Sequence, residues 1–205
     1  MTLEAPTDRR KRRTHTAVLD AAQVLFLREG YRGTTIDMLA AEADVAVSSI
    51  YANFREGKAD VYAALAWRIA TRHAEAMSAP TGDASSPRDE VAAVYDRYVR
   101  FHRDNPLALR ILALTDVDIS ESELAAKAKT RIDGVLGELV ESFAAAVRRG
   151  GSDVEARALV MVSWAAVNGA YSLYQRRMVD RSTLDVMLGI ARADLLSHVG
   201  GRDEA

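Results

Sequence analysis

Residues Arg9, Arg10, Lys11, Arg12 and Arg13 set five cations side by side near the start of the chain. Such a run is either a solvated tail or a contact for a polyanion, and what stands beside it decides between the two. Further along, Val47, Ser48, Ser49, Tyr51 and Asn53 form a small, polar and aromatic stretch. Serine hydroxyls can bond base edges or phosphates, and Val47 can touch a thymine methyl. Lys58 follows Gly57 at an expected helix start, where backbone N–H groups and the helix dipole already favour an anion. Bond-making chemistry has no comparable support. His15, His73, His102 and His198 show no metal-ligand spacing, and no glycine-rich phosphate loop or nucleophile motif occurs. With no cysteine there is no thiol nucleophile, disulfide or cysteine zinc site. The expectation is a protein that is not an enzyme and has no metal and no cofactor.

The elements that must position these residues are helices. Apolar residues recur at three- and four-residue steps, and no segment sustains period-2 alternation. The fold class expected is all-α, with about nine helices near 14–29, 35–43, 47–54, 58–79, 87–103, 106–114, 120–149, 153–178 and 182–199. Gly30 should stop the first as a left-handed cap. Five starts carry a hydroxyl three residues before an acid, at Thr34, Ser86, Ser120, Ser152 and Ser182. The helices at 35–43 and 47–54 are about two turns each and three residues apart, which suits a helix-turn-helix with one helix bracing another in the major groove. By residue type alone, a short capped helix in any bundle would look similar.

Composition agrees with a globular chain: 49% of the 205 residues are hydrophobic, 27% charged, and net charge is −2. No apolar run approaches the roughly 20 residues of a membrane span, and residues 1–13 hold no apolar signal core. A cytoplasmic location without membrane contact is expected. Residues 1–58 carry nine Lys and Arg against eight Asp and Glu, so clustering of charge matters more than its sum.

Gly30-Tyr31-Arg32-Gly33-Thr34-Thr35-Ile36, then Leu39-Ala40, Val45, Ile50-Tyr51-Ala52-Asn53-Phe54, Gly57-Lys58, Tyr62 and Leu65, together resemble the TetR family of bacterial transcriptional regulators over about residues 13–65. There are departures. Ala43-Asp44 replaces the usual Ala-Gly turn, and Asp tolerates the left-handed conformation it requires. Ala46 replaces a capping serine, at a cost of ~1 kcal/mol. Asn53 stands where histidine is common. The resemblance implies Thr35 facing phosphate at the start of the bracing helix, Val47, Ser48 and Ser49 leading into the major groove, and Tyr51, Asn53 and Lys58 on the backbone. The basic arm would follow the adjacent groove or backbone. The domains expected are a disordered arm at 1–13, a three-helix DNA-binding domain at 14–57, and a larger ligand-binding and dimerisation domain at 58–205.

Within 58–205, Trp67, Tyr95, Tyr98, Phe101, Phe143, Met161, Trp164, Tyr171 and Tyr174 are large side chains that could line a cavity, with Asn168, His102 and Arg110 as polar candidates. The effector they suggest is mainly apolar with one or two polar groups. Asn168 could equally serve a helix contact at a subunit interface. The helices at 153–178 and 182–199 carry more apolar surface than one side of a bundle needs, and the resemblance implies a homodimer formed through them. Two-fold symmetry then implies a palindromic operator on double-stranded DNA, read by recognition helices roughly 34 to 36 Å apart. The function expected is an effector-released repressor; a nucleoid scaffold without effector, or an activator, would use the same fold.

Overall fold

The computed structural model describes residues 3–80, 84–152 and 154–200. Among the described residues there are ten α-helices and no strand. They are α1 (Arg9–Arg28), α2 (Gly30–Gly33), α3 (Ile36–Glu42), α4 (Val47–Asn53), α5 (Lys58–Ser78), α6 (Pro87–Asp104), α7 (Ala108–Leu112), α8 (Glu123–Arg149), α9 (Ala156–Gln175) and α10 (Arg181–Ser197), with a 3-10 turn at Ile119–Glu121. The tenth helix is the single turn α2, which begins at the left-handed Gly30, φ 74°, just past the end of α1. The helix expected at 120–149 is interrupted because Ser122, in extended conformation, caps α8 by accepting from the Ala125 N–H at 3.0 Å.

One correction concerns the basic residues. Arg9 to Arg13 are not a disordered arm but the first turns of α1, and the Asp8 carboxylate caps them by accepting from the Lys11 N–H at 2.8 Å. An aspartate one residue ahead of the run, with no proline or glycine after it, gives the chain reason to start the helix there. The cap readings also shift. Ser86 caps α6, accepting from the Asp89 N–H at 3.1 Å. Elsewhere the cap is Thr35 rather than Thr34, Ser122 rather than Ser120, Glu155 rather than Ser152, and Asp180 rather than Ser182. A carboxylate accepts the orphan N–H groups as well as a hydroxyl does and meets the positive end of the dipole too.

The chain divides into two compact units, residues 1–72 with 105–135 and residues 73–104 with 136–205. The expected boundary at 57/58 therefore does not coincide with the edge of a compact unit. The first unit continues through Arg72 because α5 buries Val61, Tyr62, Leu65 and Ile69. The Tyr62 ring lies 5.3 Å from that of Phe26 and edge-on to Tyr31 at 5.1 Å. Val18, Leu25, Leu39, Ile50 and Phe54 complete this core, each buried apolar side chain contributing roughly 1.5–3 kcal/mol. Arg68 ties α5 to α1 through the Asp20 carboxylate at 2.6 Å and the Leu19 carbonyl at 3.0 Å.

In the second unit, α9 packs on α10. Leu159, Val160, Val167 and Ala170 of α9 are buried, as are Leu184, Leu188 and Leu195 of α10. The Tyr95 hydroxyl donates to the Leu188 carbonyl at 2.7 Å, and Tyr171 donates to the Val99 carbonyl at 2.8 Å, so α6 is stitched to both. Other apolar residues of the same two helices face out: Met161, Val162, Val186 and Ile190 are exposed, Ile190 by 65%. Among the described residues no helix is long and apolar enough to cross a membrane.

Candidate functional site

The helix-turn-helix is built by a strained turn. Asp44 takes φ 51°, and the Val45 N–H returns to the Ala40 carbonyl at 3.0 Å, reversing the chain between α3 and α4. Thr35 caps α3, its hydroxyl accepting from the Met38 N–H at 3.2 Å, and is exposed. In α4 only Ile50 is buried. Val47 and Tyr51, one turn apart, share an exposed face, with Ser48 and Ala52 beside them. Ser49 is half-buried. Ala46, in extended conformation ahead of α4, offers no side-chain cap. The Tyr51 ring is braced by Gly57, where φ is 58° and an added Cβ would come within 3.1 Å of the ring edge.

Two expected phosphate contacts, Asn53 and Lys58, make hydrogen bonds within the chain. Asn53 turns back on its own helix, its amide donating to the Ser49 carbonyl at 2.9 Å, with its Oδ1 buried and without a partner among the described residues. Lys58 Nζ donates to the carbonyls of Tyr31 and Thr34, both at 2.8 Å, and lies 4.4 Å above the Tyr31 ring. Its ammonium answers the orphan carbonyls of α2, a demand visible only once the chain has folded back. Ala52 is exposed on the outward face and was not among the expected contacts; its place one turn after Ser48 is the signal that could have found it.

The first turns of α1 hold Arg9 to Arg13 exposed, with no acid in the first turn of the helix. Cations at a helix N-terminus oppose its dipole, and the single Asp8 carboxylate at the cap stands against five of them, so a further anion is favoured there.

The expected pocket residues separate. Trp67 and Arg110 lie in the first unit. Trp67 stacks under the Arg131 guanidinium at 3.9 Å, while Arg110 pairs with Asp116 at 2.6 Å and lies against Gly30. Asp116 also accepts from the Tyr62 hydroxyl at 3.1 Å. Met161 is exposed on α9 rather than turned inward. Tyr95 and Tyr171 are buried and spend their hydroxyls on backbone carbonyls.

The rest belong to a polar, aromatic core of the second unit. Asn168 accepts from the Tyr98 hydroxyl at 2.7 Å, and the Tyr98 ring stacks on Trp164 at 4.9 Å. His73 packs edge-on to Phe101 at 4.7 Å, and His102 to Tyr98 at 4.5 Å. Neither imidazole has a hydrogen-bond partner among the described residues. Burial holds His73 down to about 4 and His102 to about 3, the latter lowered also by His73, so both are neutral near pH 7. Phe143 and Trp164 line a cavity of about 230 Å³ with Met77, Val94, Arg97 and Leu139. His73 and Arg97 were not among the expected residues; they are single polar positions on amphipathic helices and read as surface until the packing is known. Among the described residues no cluster of His, Asp and Glu could hold a metal ion.

Residues 18–65 match the model of the bacterial regulatory proteins of the tetR family. Among curated protein sequences none is significantly similar to the chain. Among solved structures, a bacterial regulatory protein in the tetR family from Rhodococcus RHA1 is similar with a TM-score of 0.72 at 16% identity, covering 93% of this chain and 98% of that one. A TetR-family transcriptional regulator from Agrobacterium tumefaciens gives 0.69 at 19% identity, over 92% and 98%. The transcriptional regulator FadR from Bacillus subtilis in complex with stearoyl-CoA gives 0.69 at 16% identity, over 90% and 99%. At these identities the likeness is one of fold.

Proposed function

We propose that the chain, whose residues 18–65 match the model of the bacterial regulatory proteins of the tetR family, is a cytoplasmic homodimeric repressor that binds a palindromic operator and is released by a small-molecule effector. The observation that carries this reading is the outward face of α4, where Val47, Ser48, Tyr51 and Ala52 stand exposed on a helix that buries only Ile50. Groups this small can approach base edges closely. Thr35 at the head of α3 and the cations of α1 supply contacts to phosphate, and an anion there offsets the unfavourable field of five cations at a helix N-terminus. Asn53 and Lys58 support the site by holding α4 and α2 rather than by touching DNA.

Dimerisation is supported by Met161, Val162, Val186 and Ile190, an exposed apolar face on two helices that already bury a separate face within the chain. Small residues Ala165, Ala166 and Gly169, exposed on α9, permit close approach of a second copy. Release by effector is supported by the cavity and by α5, which contributes residues to both compact units; a tilt of α5 would misplace the recognition helices. Moving a dimer from mostly competent to mostly incompetent needs a differential affinity near ~5.5 kcal/mol, which calls for a largely buried ligand.

Genome-wide mapping of bound sites, with transcript levels after deletion, tests the reading. A few promoters carrying inverted repeats, derepressed on deletion, are expected. Many dispersed sites without transcriptional change would establish a scaffold instead, and promoters that fall silent on deletion an activator.

A further inference from the structure

The turn that leads from α4 into α5 is tied to the head of α8 through one buried carboxylate. Asp60, in the first turn of α5, is 2% exposed. Its two oxygens serve different elements: Oδ2 accepts from the Glu56 N–H at 3.0 Å, within the turn, and Oδ1 accepts at 2.6 Å from the hydroxyl of Ser122, 62 residues further on. Ser122 is as deeply buried, and its oxygen accepts in turn from the Ala125 N–H at 3.0 Å. A serine hydroxyl carries a single proton, and here that proton is given to Asp60. The bond to Glu56 taken alone would be local capping of α5. The bond to Ser122 goes further, because Leu124, Ala125, Ala128 and Ile132 bury the start of α8 in the core of the same compact unit. Close packing makes that stretch of α8 a fixed frame for the turn.

From the turn, contact passes directly to the exposed face of α4. Glu56 precedes Gly57, whose left-handed backbone, φ 58°, lies against the Tyr51 ring. The Gly57 N–H donates to the Phe54 carbonyl at 3.0 Å and the Gly57 carbonyl accepts from the Val61 N–H at 3.1 Å, so the turn is pinned to both helices it joins. At its other end α4 has no side-chain cap, and within it only Ile50 is buried. Its placement therefore depends heavily on the turn that follows it. We infer that Asp60 and Ser122 are positioning residues for DNA recognition: their bond fixes the α4–α5 turn, and through Gly57 the Tyr51 ring, and so sets how well operator is told from other DNA. This role rests on the reading of α4 as the recognition helix. A displaced α4 loses base contacts, which carry the sequence information, whereas phosphate contacts made elsewhere carry none.

Ser122→Ala and Ser122→Gly both delete the bond, the glycine keeping most of the cap on α8, and Ser122→Thr restores a hydroxyl. The full-length variants are compared, well below their melting temperatures, by amide hydrogen exchange and by titration with two duplexes of equal length: the inverted repeat recovered by genome-wide mapping and a random sequence. In the alanine and glycine variants the Glu56 amide should exchange about ten-fold faster, and preference for the inverted repeat should fall about ten-fold with random-duplex affinity unchanged. Threonine should restore both. A serine that only caps α8 would speed exchange at Ala125 and lower the melting temperature while leaving Glu56 and the preference alone, which would overturn the assignment. Faster exchange at Glu56 with an unaltered preference would overturn it as well. The two readings fail separately: a wild-type protein without preference would sink the recognition helix and this role with it, whereas a wild-type preference that survives both deletions would sink the role alone.

Discussion

Gly57 shows how one residue position can serve the proposed nucleic-acid interface without touching it. Its φ of 58° lies in the left-handed region, and the Tyr51 ring occupies the space a Cβ would need. Gly57→Ala should lower stability by about 1–3 kcal/mol from the backbone alone. It should also reduce operator affinity by displacing Tyr51, as urea denaturation and a fluorescence DNA titration on the same preparation would show. The buried imidazoles make a second prediction. In the unfolded chain His73 and His102 titrate near 6.5, whereas in the fold they are held to about 4 and about 3 by burial. The unfolded state therefore binds more protons below pH 6.5, and the folded state is progressively disfavoured as pH falls from there toward 4, with full stability above. Each histidine should cost about 2 kcal/mol at pH 5 relative to pH 7. His102→Phe should flatten that fall in denaturation midpoints; an unchanged pH profile would mean that the ring is solvated in the folded state.

At the scale of the element, α4 is the least self-supporting helix of the site. It has seven residues, buries one, and begins after an alanine already in extended capping geometry, φ −69° and ψ 145°. Ala46→Ser should therefore stabilise the protein by about 0.5–1 kcal/mol, read as a rise in melting temperature, because the hydroxyl can accept from an orphan N–H of the first turn. A drop instead would show that the turn does not tolerate the side chain. The start of α1 responds in the opposite sense to its composition. Replacing Arg9 to Arg13 with alanine keeps good helix formers in a helix while removing cations from the positive end of its dipole, so helicity should be retained. Operator binding should lose salt dependence, by roughly 0.9 in the log–log slope for each phosphate contact removed. An unchanged slope in titrations from low to moderate salt would leave these arginines as a solvated surface.

For the whole molecule, assembly is the property on which the proposed operator symmetry depends. The apolar residues of α9 and α10 sort into two sets. Leu184, Leu188 and Leu195 close the chain's own bundle, while Val186 and Ile190 face out. Ile190→Glu should thus leave the monomer folded and convert a dimer to a monomer in light scattering, with operator affinity falling with it, because a charge on this face would be buried unpaired between two copies. A variant that stays dimeric would place the interface elsewhere.

Helical periodicity, the spacing of the two short helices and the pattern from Gly30 to Leu65 are local properties. The sequence alone therefore determined an all-α chain with a helix-turn-helix, a left-handed Gly30, a strained Asp44 and an uncapped Ala46. What depended on packing was decided only by tertiary structure. Arg9 to Arg13 read as a tail because a run of cations carries no periodicity, yet Asp8 caps them into a helix. Lys58 reads as a phosphate ligand at a helix start, but folding brings the carbonyls of Tyr31 and Thr34, 27 and 24 residues away, within 2.8 Å of its Nζ. Trp67 and Trp164 are indistinguishable as residue types, and only the fold sends one to stack under Arg131 and the other to border a cavity with Arg97. A side chain's type sets which partners it can satisfy; which of them it meets is a long-range contact, and no local pattern carries that.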